Sequence, residues 1–271
     1  MEIIRSKTRF INCIPEEVGG SGNPSRMTAR GIVCAMRAAL AVKKYKSLAE
    51  CTIAIQGCGN VGGFLVEELL SFGVCNMIVT DKNPETVRAS RVRFPTVNVR
   101  LETPEQSALF EACDILAPCA LGAILSDETI PKIRASFIIG AANNQLLDPK
   151  KHDKMIFDRG ITYVPDFVGN FAGILNCADE NAGYVGKDRL QDPLISRHFE
   201  ITQDKSSVFG RVTSLLQRAF KENIPTGQVA DEMAEESCRE PHPIWPGRAK
   251  QIQRALIEEG WVDEINAKSK L

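Results

Sequence analysis

A glycine-rich hexapeptide, GCGNVG at 57–62, is the part of the sequence whose residue types and spacing point most directly to chemistry. It follows the apolar run 52–55 and opens a helix-forming run, which is the setting that a phosphate-binding loop requires. In such a loop Gly57 makes the tight turn, Gly59 lets the backbone approach a pyrophosphate, and Gly62 lets the helix pack on the sheet. The helix N-terminus offers free N–H groups to the phosphates. The hexapeptide therefore predicts a dinucleotide-binding loop, and the alternative is an ordinary glycine turn.

An acidic residue, Asp81, ends the next apolar run, near the spacing of about 20 residues that dinucleotide-binding domains show. A carboxylate at this position can accept hydrogen bonds from both hydroxyls of an adenosine ribose and would repel a 2′-phosphate. The pattern therefore favours NAD over NADP, with Asp81 and its neighbour Lys82 beside the ribose. The alternative is that Asp81 only caps the segment that begins at Asn83.

The elements that must position these residues alternate between short apolar runs and helical stretches. A helix is predicted from Thr28 to Leu40, where apolar residues recur at three- and four-residue intervals. Runs that are apolar on both faces are typical of parallel strands covered by helices on both sides. We therefore predict an α/β fold, a Rossmann-type doubly wound parallel sheet with a helical C-terminal extension. The expected strands are 52–55, 77–80, 114–117, 137–140 and 161–164.

The rest of the chain reads as helical. The polar stretch 186–207 is expected to be a surface connection, and helices are expected at 207–222, 227–239 and 247–259. The predicted organisation is an N-terminal segment and linker at 1–27, an NAD-binding domain at 28–205, and a helical extension at 206–271 that packs on the same domain.

Composition excludes several classes of function. The 271 residues carry 33 basic and 34 acidic side chains, so no strong attraction to nucleic acid is expected. No apolar run approaches the roughly 20 residues of a membrane-spanning helix, and no signal peptide is evident. Nine cysteines without a Cys-x-x-Cys pair indicate a reducing, cytoplasmic setting. Only three histidines occur, far apart, so we expect no metal site.

Several further motifs resemble one family, the glutamate/leucine/phenylalanine/valine dehydrogenases. They occur in the family's order around the glycine loop, and the resemblance runs from about Ser21 to at least Glu236. The motifs are SGNPSRMTARG at 21–31, APCALGA at 117–123, GAANNQL at 140–146, PDFVGN at 165–170, ADE at 178–180 and ADEMAEE at 230–236.

The resemblance implies an NAD domain with defined contacts. Thr28, Asn143 and Asn170 would approach the nicotinamide end, and Cys119 and Ala120 would lie near the dinucleotide. For the asparagines, the alternative is local capping or turn formation. Cys119 has no evident base beside it, so we assign it no catalytic role. The full expected cofactor-binding set is Thr28, Gly57, Gly59, Asn60, Val61, Gly62, Asp81, Lys82, Cys119, Ala120, Ala142, Asn143 and Asn170.

The catalytic residues, in contrast, cannot be assigned. In the family, a substrate domain before the matched segment supplies two lysines and an aspartate, and only twenty residues precede Ser21 here. We expect that domain to be lacking. Lys187, His198 and His242 are conceivable replacements and stay unassigned. Asp179 and Glu180 are adjacent, and neighbouring helical residues point apart, so a structural or capping role is expected.

One departure from the family is a bulky residue near the nicotinamide end. The sequence has Asn-Phe-Ala-Gly at 170–173, where the family generally has Asn-Ala-Gly-Gly. Phe171 would reshape the substrate side of the pocket, or it is an ordinary core aromatic.

The function expected from these features is NAD-dependent oxidoreduction of an amino acid, amine or imine. The alternatives are a redox-neutral enzyme with tightly bound NAD, and a catalytically disabled NAD-binding regulatory or partner subunit. A separately encoded substrate-domain protein could complete the site. We expect neither nucleic-acid nor membrane partners, and we expect a homodimer formed through the N-terminal segment or the tail helices.

Overall fold

The computed structural model describes residues 1–8, 10–181, 193–241 and 246–260. Two compact units can be distinguished, residues 1–230 and residues 231–271. The first unit contains the sheet and the glycine-rich loop. Among the described residues, no helix has both the length and the apolar character needed to cross a membrane.

The sheet of the first unit has six strands in the described residues, all parallel, in the order β3-β2-β1-β4-β5-β6. Because the chain moves outward from β1 in both directions, the sheet is doubly wound, as predicted, with its switch point between β1 and β4. The strands are β1 Thr52–Gln56, β2 Asn76–Asp81, β3 Asn98–Leu101, β4 Ala112–Pro118, β5 Arg134–Ile138 and β6 Thr162–Tyr163.

Five of these strands lie where the apolar runs predict them, whereas β3 is not predicted. It is an edge strand of which only Val99 is buried, so it has no apolar run to mark it. Polar residues are tolerated on an edge strand because only one side of the strand is paired.

Eleven α-helices lie within the described residues. They are α1 Glu2–Arg5, α2 Ser25–Val42, α3 Asn60–Ser71, α4 Pro84–Arg93, α5 Pro149–Asp158, α6 Asp166–Gly169, α7 Ala172–Asn181, α8 Pro193–Ser196, α9 Val208–Glu222, α10 Thr226–Arg239 and α11 Arg248–Glu258. The predicted tail helices agree with α9, α10 and α11 to within one residue at each end.

Helix α2 forms the centre of the packing on one face of the sheet. Its side chains Ile32, Val33 and Met36 are completely buried, and it contacts α3, α7 and α9. Small residues allow close approach: a Cβ added at Gly31 would lie 3.0 Å from the Cβ of Ala172. The N-terminal half of α2 is therefore held against the start of α7, beside the carboxyl edge of the sheet.

The stretch 186–207 is only partly described, since residues 186–192 lie outside the described ranges. The expectation of a simple surface connection is wrong for the described part. Ile195 in α8 is 4% exposed and packs with Met27 and Ala172 in a small apolar cluster. Isolated buried side chains in a polar segment, here Ile195 and Ser207, give no periodic pattern that would predict them.

The second unit has an amphipathic helix with an open apolar stripe. In α11, Ile252, Leu256 and Ile257 are all exposed in this chain. Ile252 and Leu256 are four residues apart and lie on one side of the helix, whereas Ile257 lies about 100° further around it.

Candidate functional site

The turn after β1 is built on a glycine in a left-handed conformation. Gly57 has a φ of +95° and donates its backbone N–H to the carbonyl of Thr80 in β2, at 2.7 Å. A Cβ at this position would lie 2.8 Å from the Cβ of Ala120, on the loop after β4. Both the φ angle and the close approach require glycine, since any side chain would be strained and crowded.

The third glycine of the loop, Gly62, is required by a close contact other than the expected one between helix and sheet. A Cβ at Gly62 would overlap the carbonyl oxygen of Gly57 and would lie 3.6 Å from the Cβ of Cys119. The first turn of α3 therefore packs on the backbone of the loop itself, and closeness of the helix to the sheet is not the main constraint.

The middle glycine, Gly59, faces open space. It is exposed, has an ordinary φ of −73°, and would have no atom within 4 Å of an added Cβ. It precedes the first helical residue of α3, and the amides of Asn60, Val61 and Gly62 have no partner within the helix. Gly63 is the first to donate back, to the carbonyl of Gly59 at 2.8 Å. This exposed helix start provides donors for an anion.

Asp81 lies at the end of β2 with each carboxylate oxygen bound to a backbone amide. Its Oδ2 accepts from the N–H of Cys58 in the glycine loop, and its Oδ1 accepts from Asn83, both at 2.8 Å. The side chain is partly exposed, and Lys82 beside it is exposed. Because an ionised carboxylate has about four acceptor positions, two amides leave capacity for hydroxyl groups.

Asp81 also takes part in the turn after β2, although it does not cap the helix that follows. Asp81 accepts from Asn83, but the cap of α4 itself is the side chain of Asn83, which accepts from Glu85 at 2.9 Å. Asp81 connects the glycine loop to this turn.

The residues after β4 lie against the end of β1. Cys119 donates its N–H to the carbonyl of Gln56 at 2.7 Å, and Ala120 is exposed next to Gly57. Burial raises the pKa of the Cys119 thiol to about 12, although a backbone hydrogen bond with Ala141 acts in the opposite direction. At neutral pH the thiol is uncharged, which makes it a poor nucleophile.

Two of the expected asparagines meet. The side-chain amide of Asn170 donates to Asn143 Oδ1 at 2.8 Å and to the carbonyl of Ala141 at 3.1 Å. Ala142 donates its N–H to the carbonyl of Pro118, at 2.9 Å, and so fixes this loop to β4. The carboxyl ends of β4, β5 and β6 are therefore joined by polar contacts at one place.

Thr28 lies near this group, but its hydroxyl is bonded elsewhere. Its hydroxyl donates to the carbonyl of Pro24 at 3.2 Å, and a Cβ at Gly173 would overlap that hydroxyl. Thr28 is therefore connected to the site through the start of α7, three residues beyond Asn170.

Two further contacts at this edge, Gln56 with Glu102 and Phe171 with Arg211, have no signal in the sequence, although Phe171 alone is expected there. Glu102, just after the unpredicted β3, accepts from Gln56 Nε2 at 3.0 Å and from the Ser107 hydroxyl at 2.7 Å. Phe171 is half-buried, and the guanidinium carbon of Arg211 lies 4.7 Å from the centre of its ring. Each pair is brought together by the fold from distant parts of the chain, so no local pattern could reveal it.

Glu180 accepts hydrogen bonds from the N-terminal segment. It accepts from the amides of Cys13, Ile14 and Ser21 and from the Ser21 hydroxyl. Burial alone would raise the pKa of this carboxyl, but the hydrogen bonds outweigh burial and lower it. Glu180 thereby ties the N-terminal segment to α7, in agreement with a structural role.

Of the unassigned candidate acid–base residues, His198 lies within the described residues, and its ring contacts a backbone carbonyl. His198 Nδ1 lies 2.7 Å from the carbonyl oxygen of Ser206. Lys187, His242 and the side chain of Asp179 lie outside the described residues. Within the described ranges, no group of three or more His, Cys, Asp or Glu side chains could hold a metal ion.

The strand order and the glycine loop define a Rossmann-type α/β domain. Its solved neighbours include L-tryptophan dehydrogenase from Nostoc punctiforme, with a TM-score of 0.68 and 30% identity, covering 79% of this chain and 59% of that one. The family model for glutamate/leucine/phenylalanine/valine dehydrogenase matches residues 19–84.

Curated relatives give the same result over a longer stretch. Leucine dehydrogenase of Bacillus subtilis is 38% identical over 237 residues, which are 87% of this chain and 60% of the relative. Valine dehydrogenase of Streptomyces coelicolor is 35% identical over 245 residues, which are 90% and 63%. These matches show that the chain is similar to amino-acid dehydrogenases. The chain spans about 60% of the length of the leucine dehydrogenase.

Proposed function

We propose that residues 28–205 bind NAD, with 206–271 as a helical extension. The observation that carries the proposal is the hydrogen bond from the Cys58 amide to Asp81 Oδ2, at 2.8 Å. It holds a carboxylate for ribose hydroxyls next to the loop whose helix start offers free amides to phosphates. The open space at Gly59 supports the same assignment, because a pyrophosphate needs that approach.

We further propose that the chain takes part in NAD-dependent oxidoreduction of an amino acid, amine or imine. Bound NAD would supply the hydride chemistry. The amides of Asn60, Val61 and Gly62 would hold the phosphates. Asn143 and Asn170, which are hydrogen-bonded to each other, would orient the nicotinamide end. The leucine and valine dehydrogenase relatives support this class of reaction.

No catalytic group for the proton transfers is assigned among the described residues. NADH turnover with a 2-oxo acid and ammonia tests whether the purified chain is an enzyme. Net turnover supports a dehydrogenase, and retained NAD that is reduced and reoxidised without net turnover supports the redox-neutral alternative. Tight NAD binding with neither activity supports a regulatory or partner subunit.

The nine cysteines support a reducing, cytoplasmic setting.

Replacing Asp81 tests the cofactor assignment. Asp81→Ser is expected to raise the Kd for NAD about tenfold, because hydrogen bonds to a charged acceptor are lost. The preference for NAD over NADP is expected to fall, because the charge that repels a 2′-phosphate is gone. Calorimetric titration with both cofactors measures the two effects. Glu85→Gln is the control, because it removes a nearby charge that faces Arg88. An unchanged preference in Asp81→Ser would remove this residue from the site.

We propose a homodimer as the state in solution. The exposed stripe of Ile252, Leu256 and Ile257 on α11 supports self-association, because a second copy would cover apolar surface. Sedimentation equilibrium should give twice the mass of the 29.8 kDa chain. Ile252→Glu should shift the protein toward monomer, whereas a wild-type protein that is monomeric at all concentrations would contradict the proposal.

A further inference from the structure

Two cysteine sulfurs that have no part in the proposed cofactor site lie in contact with each other. Cys13 Sγ, in the N-terminal segment, is 3.2 Å from Cys177 Sγ on α7, although the two residues are 164 positions apart in the chain. Both thiols are free, and both residues are partly exposed. A disulfide bond is about 2 Å long, so the two sulfurs would form one after a movement of about 1 Å.

The position of Cys13 is set by a carboxylate on the helix that carries the second sulfur. Glu180 lies three residues after Cys177, so both side chains are on one face of α7. Glu180 Oε2 accepts from the N–H of Cys13 at 2.7 Å, and Glu180 Oε1 accepts from the N–H of Ile14 at 3.3 Å. Further along the segment, Ser21 donates its N–H to Glu180 Oε2 at 3.2 Å. The backbone of Cys13 is thus fixed against the helix face that presents Cys177.

Cys13 also has an unusual backbone conformation. Its φ is +58°, in the left-handed region that glycine and asparagine adopt readily and other residues rarely do. The hydrogen bonds from the amides of Cys13 and Ile14 to Glu180 hold the chain in this conformation. The conformation that these bonds stabilise is therefore one in which the Cys13 thiol meets Cys177.

The surroundings of Cys13 make the pair slow to react in either direction. Burial, and next the contact with Cys177, raises the pKa of the Cys13 thiol to about 12, so this thiol is uncharged at neutral pH. Because the thiolate is the form that attacks a disulfide, exchange starts slowly. A thiol of high pKa is also a poor leaving group, so a disulfide that contains this sulfur is reduced slowly. The pair therefore suits an infrequent and lasting modification.

We propose that Cys13 and Cys177 form an intrachain disulfide when the protein meets a low-molecular-weight disulfide such as oxidised glutathione. The thiolate of one cysteine attacks the oxidant, forms a mixed disulfide and releases one glutathione thiolate. The thiolate of the other cysteine then attacks the protein sulfur of the mixed disulfide, and a second glutathione thiolate leaves. The two leaving thiolates take up the two protons that the cysteines give up. Two cysteines are thereby oxidised, and one glutathione disulfide is reduced.

The disulfide would hold the N-terminal segment covalently on α7. It would join residues 164 positions apart, and a cross-link stabilises more when the loop that it closes in the unfolded chain is longer. The N-terminal segment leads directly into α2, which contacts α7, so the cross-link would also oppose separation of these two helices. In a reducing compartment such a disulfide is a response to oxidation.

The experiment exposes the full-length protein to oxidised glutathione, blocks the remaining thiols with N-ethylmaleimide, and digests the protein with trypsin without reduction. Trypsin cuts after lysine and arginine, so Cys13 and Cys177 fall in peptides 10–26 and 160–187, each with a single cysteine. Mass spectrometry should find these two peptides joined, and dithiothreitol should separate them. The melting temperature of the oxidised protein should be about 5–10 °C above that of the reduced protein.

Serine variants separate this pair from the other cysteines. Cys13→Ser and Cys177→Ser should each lose the joined peptides and the rise in melting temperature. Cys75→Ser, which alters an exposed cysteine, should keep both. Circular dichroism checks that each variant is folded.

The comparison of oxidised with reduced wild type needs no variant, so it can overturn the proposal by itself. Peptide 10–26 that carries only glutathione or N-ethylmaleimide after oxidation would do so. Joined peptides that come from a covalent dimer on a non-reducing gel would also overturn it, because the disulfide would then lie between two chains. An oxidised wild type whose melting temperature does not rise would contradict the proposed hold on α7.

Discussion

Gly59→Val is expected to raise the Kd for NAD about 100-fold without lowering the melting temperature, since two or more charged hydrogen bonds worth about 3 kcal/mol would be lost. The backbone at Gly59 is extended, with a φ of −73°, and a side chain there would have no protein atom within 4 Å of its Cβ. The folded chain therefore tolerates valine. A bound pyrophosphate does not, because the new methyl groups would stand where the phosphates approach the first amides of α3.

The matched control for this substitution is Gly247→Val. Gly247 also has an ordinary φ, −104°, and its nearest neighbour to an added Cβ is 4.0 Å away. It should change neither the Kd for NAD nor the melting temperature. NAD titration by calorimetry and thermal unfolding followed by circular dichroism provide the two measurements. A Gly59→Val protein that binds NAD as wild type does would mean that no phosphate lies at this loop.

Gly62→Ala is expected to destabilise the protein by about 3 kcal/mol, which corresponds to a fall in melting temperature of about 6–12 °C for a domain of this size. The added methyl group would overlap the carbonyl oxygen of Gly57, which is backbone and cannot rotate away. Gly57 in turn is held at a φ of +95° and bonded to Thr80. Relief of the overlap would require α3 to move away from the loop, so binding of NAD should be lost as well.

The adjacent glycine provides the comparison. A Cβ at Gly63 would come within 3.2 Å of the end of the Arg93 side chain, which can move, and would be in ordinary contact with the Cys58 carbonyl oxygen at 3.9 Å. Alanine is also favoured over glycine within a helix by about 1 kcal/mol, so Gly63→Ala should leave the melting temperature unchanged or raise it. Urea unfolding of both variants measures the difference. If Gly62→Ala and Gly63→Ala were equally stable, the close contact between α3 and the loop would be wrong.

The fold could be predicted because its main signals are local. Each inner strand is apolar on both faces, as in 52–55, and the hexapeptide that follows it has one main structural context. β3 could not be predicted, since an edge strand needs little burial and only Val99 supplies it. The role of Gly62 is also predicted only in part. The spacing of the hexapeptide requires a small residue there, but it does not show that the carbonyl oxygen of Gly57 is the atom an added Cβ would meet.

The same distinction between local signals and long-range contacts applies to the candidate site. The approach of Asn143 to Asn170 agrees with the resemblance that placed both near the nicotinamide, and their hydrogen bond joins two loops 27 residues apart. Glu102 and Arg211 have no such support. Glu102 reaches Gln56 over 46 residues, and Arg211 reaches Phe171 from a helix that begins after a partly described segment. Contacts of this kind depend on how the elements pack, and side-chain type alone does not encode them.

The two hydrogen bonds accepted by Asp81 restrict how the proposed preference for NAD could change during evolution. Replacing Asp81 by a residue without a carboxylate would remove at least one of the two oxygens that accept from the amides of Cys58 and Asn83. A lineage moving toward NADP would therefore need a compensating change in the loop or in the turn after β2, before or together with the loss of the acid. The hydrogen bonds around Asp81 would therefore oppose loss of the proposed preference for NAD.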